Sequence, residues 1–152
     1  MLYPLEIKRF EIGQEQEVSN ICQRCIDEIN AKDSTEKQVK NLLNAFTPRG
    51  ILSHASQSQL YVAINAQGQI CGTGTLAGNR VKGVFVDVKF IGKGIGRKIM
   101  AFLENEARDQ GEEFIFLSSS KFAVKFYEKI GYIRIKHVNS RVGHMTKMEK
   151  KI

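Results

Sequence analysis

Gly92-Lys93-Gly94-Ile95-Gly96-Arg97 puts three glycines into five residues and sets two cations among and beside them. Glycine at that density lets backbone N–H groups crowd a ligand without interference from Cβ atoms. The apolar run Val84-Phe85-Val86 leads in through Asp87-Val88-Lys89-Phe90-Ile91, and an amphipathic helix follows, with Ile95, Ile99, Phe102, Leu103 and Ala107 on one face. The first turn of such a helix offers unpaired donors and the positive end of its dipole. Strand, glycine loop and helix start together make a cradle for an anion, phosphate first, with Lys93 and Arg97 adding charge. The alternative is a tight turn with no ligand. Neither common nucleotide pattern is present: there is no G-x-x-x-x-G-K-[ST], and Ile99 interrupts G-x-G-x-x-G.

Other reactive side chains are scattered. Cys22 and Cys25 form a C-x-x-C, but no second close pair completes a tetrahedral zinc site. Both also continue the apolar stripe Val18, Ile21, Cys22, Cys25, Ile26, Ile29, so they read as buried thiols on a helix face, and no metal is expected. His54 and His144 stand alone in sequence, where structural or surface roles are the simpler reading.

The elements that must position these residues follow from periodicity. Leu5 to Phe10 reads as a strand, and a helix starts at Glu15. A second helix carries Val39, Leu42, Leu43 and Phe46, capped by Ser34 or Asp33 and stopped by Thr47-Pro48-Arg49-Gly50. Three strands in a meander follow: Leu60 to Ile64, Ile70 to Leu76 and Val81 to Val88. After the loop and its helix, which Gly111 ends, Phe114 to Leu117 reads as a short buried strand. Ser118-Ser119-Ser120 enters a helix carrying Phe122, Ala123, Phe126, Tyr127 and Ile130. Tyr132 to Val138 and His144 to Lys150 close the chain as a strand pair. The expectation is an α/β (α+β) fold: a central mixed, mostly antiparallel sheet of about seven strands flanked by four helices. No repeat or linker divides the chain, so residues 1–152 read as one domain.

A length of 152 residues suffices for a proper core, and the 26% of charged residues is ordinary for a soluble protein. No apolar stretch reaches the roughly 20 residues of a membrane helix and no signal-peptide pattern opens the chain, so the cytoplasm is the expected location. The formal charge of +7 suits an anionic partner. It is spread along the chain, however, and no aromatic-basic motif singles out nucleic acid.

With these pieces in order, the chain resembles the GCN5-related N-acetyltransferase (GNAT) superfamily over nearly its whole length. Two stretches carry the resemblance. Val86 through Ile99 is similar to the family's fourth strand, pyrophosphate loop and third helix. Ser120-Lys121-Phe122-Ala123-Val124-Lys125-Phe126-Tyr127-Glu128-Lys129-Ile130-Gly131-Tyr132 looks like its S/N-x-x-A-x-x-F-Y-x-x-x-G-F/Y signature. One position departs: the family loop is usually Q/R-x-x-G-x-G, and Ile91 stands at the Q/R position.

The resemblance implies an acyltransferase moving an acetyl group from acetyl-CoA to a primary amine, on a small molecule or a peptide, without an acyl-enzyme. It implies that backbone groups of Phe85, Val86 and Val88 hold pantetheine and the acetyl carbonyl where two strands part. Ile91, Gly92, Lys93, Gly94, Ile95, Gly96 and Arg97 would surround the pyrophosphate, with Lys121 and Lys125 within reach of phosphates. Tyr127 would protonate the departing thiolate, and Ser120 would touch the cofactor or cap its helix. Asp87 is the first candidate for a general base, with a surface carboxylate the alternative; Glu28 and Asp33 lie near the connection where the family shapes its acceptor pocket but read as solvated charges. A non-catalytic acyl-CoA-binding domain is the rival reading, a basic nucleic-acid module the weaker one. Homodimers are common among such proteins and stay open here.

Overall fold

The computed structural model describes residues 4–152, the side chain of residue 33 excepted. The described elements run β1 (Leu5–Arg9), α1 (Glu15–Glu28), a 3₁₀ turn at Asn30–Asp33, α2 (Glu36–Ala45), α3 (Pro48–Gln57), β2 (Gln59–Asn65), β3 (Ile70–Ala77) and β4 (Arg80–Val86). A second 3₁₀ turn at Val88–Phe90 leads to α4 (Ile95–Asp109), β5 (Phe114–Ser120), α5 (Val124–Lys129), β6 (Ile133–Ser140) and β7 (Gly143–Lys151). The strands form one seven-stranded sheet in the order β1-β2-β3-β4-β5-β7-β6, antiparallel except at β4–β5.

Helices cover both faces. On one, α4 lays Ile95, Ile99, Met100 and Leu103 against the sheet in a core that includes Ala63, Cys71, Leu117, Tyr127, Tyr132 and Met148. Gly72 and Gly74 of β3 make the approach close: a Cβ on Gly74 would stand 2.6 Å from Ile99 Cγ2. On the other face, α1 and α3 bury Val18, Ile21, Cys22, Cys25 and Ile51 over Leu60, Val62 and Ile70. A buried network ties α4 to the chain's end, since Glu104 accepts from the Tyr132 hydroxyl at 2.8 Å and from Lys150 at 3.0 Å.

Several expectations are corrected. There are five described α-helices where four were expected, because Thr47-Pro48 starts a helix as well as ending one. Thr47 caps α3 by accepting from the Gly50 N–H at 3.1 Å, and Pro48 takes the first turn, where a missing N–H costs nothing. The cap of α2 is Thr35, in a reciprocal capping box with Gln38, and neither Ser34 nor Asp33 serves. Strand β4 ends at Val86, so Val88 belongs to the 3₁₀ turn. Strand β5 continues to Ser120, and α5 begins at Val124 with Ala123 at its N-cap.

Candidate active site

The parallel pairing of β4 with β5 is two residues long, Arg80 with Phe116 and Val81 with Leu117. Immediately afterwards β4 carries an extra residue: Gly83 faces Thr75 and Val81 faces Leu76, which leaves Lys82 as a bulge. A bulge bends its strand and sharpens its twist, and from that point β4 and β5 diverge. Backbone groups on the β5 side of β4 are then left without a sheet partner.

Which groups these are follows from the pleat. The Asp87 N–H donates to the Cys71 carbonyl of β3 at 2.9 Å, and the Phe85 carbonyl lies 3.0 Å from where a Gly72 Cβ would stand. Phe85 and Asp87 therefore turn their polar backbone toward β3, and alternation puts the N–H and C=O of Val84 and Val86 on the open edge. Of the three residues expected to lend backbone groups, Phe85 has its carbonyl engaged inside the sheet. Its ring instead meets Phe46 edge-on at 4.9 Å, on the α1 side. Val88 sits just past the edge, packed against the cluster under α1.

The glycine loop closes one end of this opening. Gly92 and Gly94 adopt φ of +89° and +78°, a left-handed backbone that ordinary side chains rarely take, and a Cβ on either would meet nothing within 4 Å. The space above the loop is thus free for a ligand. Gly94 is the N-cap of α4, and the first intrahelical bond to it comes from Lys98, so the N–H groups of Ile95, Gly96 and Arg97 have no helical acceptor. Gly96 lets the helix start press on α5, its missing Cβ only 3.2 Å from Phe126 Cζ. Lys93 and Arg97 are exposed here, and Ile91 is 56% exposed where the family carries Gln or Arg.

Tyr127 stands on α5 beyond the loop, 7% exposed, its ring edge-on to Phe126 at 5.1 Å and Tyr132 at 5.7 Å. Burial pushes its phenol well above the usual tyrosine range. Ser120 is the last residue of β5, paired with Met145, and its carbonyl accepts from the Ala123 N–H at 3.1 Å. It is not the cap of α5.

Asp87 lies directly after the open edge, 3% exposed. Its Oδ2 accepts from Arg24 of α1 at 2.8 Å and its Oδ1 from the Lys89 N–H at 3.2 Å. The neighbouring Cys25 thiol donates to the Val86 carbonyl at 3.0 Å. Burial, then the nearby Asp87 carboxylate, pushes that thiol up to about 11. Sequence reasoning missed both partners on α1: Cys25 read as core, and nothing in the spacing of Arg24 marked it.

Residues 30–152 match the family model for the GNAT acetyltransferase domain. The chain belongs to this family. As a GNAT acetyltransferase it is an acyltransferase enzyme, and its fold recurs in solved structures. A GCN5-related N-acetyltransferase from Rhodopseudomonas palustris superposes with a TM-score of 0.90 at 20% identity, over 100% of this chain and 98% of that one. The PaiA N-acetyltransferase from Thermoplasma acidophilum, in complex with coenzyme A, gives 0.79 at 15% identity, over 97% and 99%. YncA from Salmonella typhimurium, with its cofactor acetyl-CoA, gives 0.66 at 17% identity, over 97% and 93%. At these identities the likeness is one of fold. No curated protein matches the sequence.

Beside β4, the acetyltransferase packs a wall of α1, the first 3₁₀ turn and α2. Gln38 and Asn41 of α2 donate to the Ser140 and Arg141 carbonyls of the β6–β7 turn, at 3.2 and 3.0 Å. Glu28 is exposed at the end of α1; Asp33 lies in the 3₁₀ turn, its side chain outside the described residues. His54 stacks on Phe46 at 5.1 Å, with Nε2 at 3.1 Å from the Ala45 carbonyl, a packing role within this wall. His144 is exposed on β7 opposite Asn139. Among the described residues no group of His, Cys, Asp or Glu could hold a metal, and no helix is long and apolar enough to cross a membrane.

Proposed function

We propose that this enzyme, acting as one domain, transfers an acetyl group from acetyl-CoA to a primary amine by direct attack. The observation that carries this reading is the parting of β4 and β5 beside the glycine loop, which leaves the Val86 N–H on an open edge. Acetyl-CoA supplies a thioester whose carbonyl accepts the amine, forming the amide and releasing the thiol. The complexes of the Thermoplasma protein with coenzyme A and of YncA with acetyl-CoA support that donor.

Each residue has a task in this reading. The N–H groups from Gly92 to Arg97 hold the pyrophosphate, and Lys93 and Arg97 add charge where the Ile91 side chain offers none. The Val86 N–H lies where negative charge would develop on the thioester oxygen and stabilises it, a contribution worth about 3 kcal/mol for a well-placed donor. Tyr127 gives its proton to the departing thiolate. Its raised phenol keeps that proton through the neutral range, as an acid in this role must. Ser120 borders the cofactor.

Asp87 is held by Arg24 and the Lys89 N–H and serves as an anchor, so the amine's proton leaves through water or after prior neutralisation. The acceptor amine, on a small molecule or a peptide, enters from the α1–α2 side. Release of CoA thiol against a panel of amines tests the reading. Turnover with at least one amine, lost in Tyr127→Phe with acetyl-CoA binding intact, is the expected result. Unchanged turnover in that variant would remove the tyrosine from the mechanism.

A further inference from the structure

Two consecutive residues of α1 reach across to the end of β4. Arg24 pairs with Asp87 at 2.8 Å, and the Cys25 thiol donates to the Val86 carbonyl at 3.0 Å. Because N–H and C=O of one extended residue point the same way, the Val86 carbonyl shares the open edge with the Val86 N–H. That carbonyl is a liability to acyl transfer. Its dipole presents negative charge beside the place where the thioester oxygen gains negative charge, and a low-dielectric site magnifies the repulsion. The Cys25 S–H covers it, while Asp87, braced by Arg24 and bonded to β3 through its own N–H, keeps the peptide from rotating.

We infer that Cys25 and Arg24 are positioning residues for acetyl transfer: Cys25 masks the Val86 carbonyl, and Arg24 through Asp87 locks the Val86–Asp87 peptide. The Val86 N–H is thereby left as the dominant dipole on the open edge. This inference rests on the acetyl-CoA reading above. Coenzyme A shares every contact with acetyl-CoA except those to the acetyl carbonyl, so the preference for acetyl-CoA over CoA isolates the effect.

The test is calorimetry of the full chain with each ligand, joined to the carbonyl ¹³C resonance of acetyl-CoA labelled at that carbon. Wild type should prefer acetyl-CoA and shift the bound resonance from its position in solution. Cys25→Val, close in volume but lacking a donor, should narrow the preference about fivefold, as expected for one neutral hydrogen bond. Its CoA affinity should be unchanged and its resonance should fall back toward solution. Cys25→Ser, which keeps a donor, should restore both. Arg24→Gln should act in the same direction as Cys25→Val.

Equal weakening of both ligands by Cys25→Val would make the cysteine merely structural and overturn the inference, as would an unchanged preference or resonance. Failure of wild type to bind either ligand would instead overturn the donor reading, and the inference with it.

Discussion

The two halves of this molecule differ in how tightly chemistry constrains them. In the donor half, β4, the glycine loop, α4 and α5 meet through backbone: left-handed glycines, helix N–H groups without a helical acceptor, Gly72 and Gly74 where a Cβ would collide, and Gly96 where one would crowd Phe126. In the acceptor half, α1, α2, α3 and the β6–β7 turn meet through side chains, Gln38 and Asn41 on carbonyls and His54 on Phe46. Under the proposed function the backbone cradle would serve the donor, and acceptor choice would lie in the side-chain contacts, which can change without disturbing it.

The sharpest way to break this division is Tyr127→Phe. Turnover should fall about 100-fold, the usual worth of a general acid, while acetyl-CoA affinity stays within twofold. A matching loss of affinity would mean that the ring packs the donor site and does no acid chemistry. Next is Gly74→Ala, whose Cβ would lie 2.6 Å from Ile99 Cγ2 and 3.1 Å from Leu103 Cδ1. Forcing α4 off the sheet should cost about 2 kcal/mol and lower the melting temperature by about 5 °C; an unchanged melting curve would show that α4 yields freely.

Gly94→Ala meets no atom and so probes backbone alone. The left-handed strain of about 1–2 kcal/mol should weaken acetyl-CoA binding about tenfold. Smaller still is Gln38→Ala, which removes the bond to Ser140 and the capping-box partner of Thr35. It should raise the acceptor KM a few-fold and leave acetyl-CoA affinity alone; the reverse pattern would erase the distinction between the halves.

The last prediction concerns pH and vanishes at neutrality. Burial raises the Cys25 and Cys71 thiols from 9.0 to about 11 in the folded chain. A raised folded pKa means the unfolded chain loses its protons first, so stability holds below pH 9 and is lost between pH 9 and 11. Urea midpoints across that window should fall, and fall less when Cys71 is replaced by Ala.

The same contrast governs what the sequence reveals. The glycine loop and its helix are legible because a left-handed turn before a helix start calls for glycine at set places, and Tyr127 follows on a helix with its own pattern. The parting of β4 from β5 is legible through the family resemblance and not from residue pattern, since the Lys82 bulge has no residue signature. The acceptor half is harder to read: Thr47-Pro48 ends α2 as expected and also starts α3, and the cap read at Ser34 or Asp33 falls at Thr35. Ser118 to Ser120 read as the entry to a helix, yet they extend β5 along Lys147, Thr146 and Met145.

The central claim is that the opening beside the glycine loop binds acetyl-CoA. Calorimetric titration of the purified protein with acetyl-CoA, against dephospho-CoA and ATP, tests it most directly. The account predicts micromolar binding that prefers acetyl-CoA, despite Ile91. No binding, or equal binding of ATP, would contradict it and leave the fold without the donor site assigned to it.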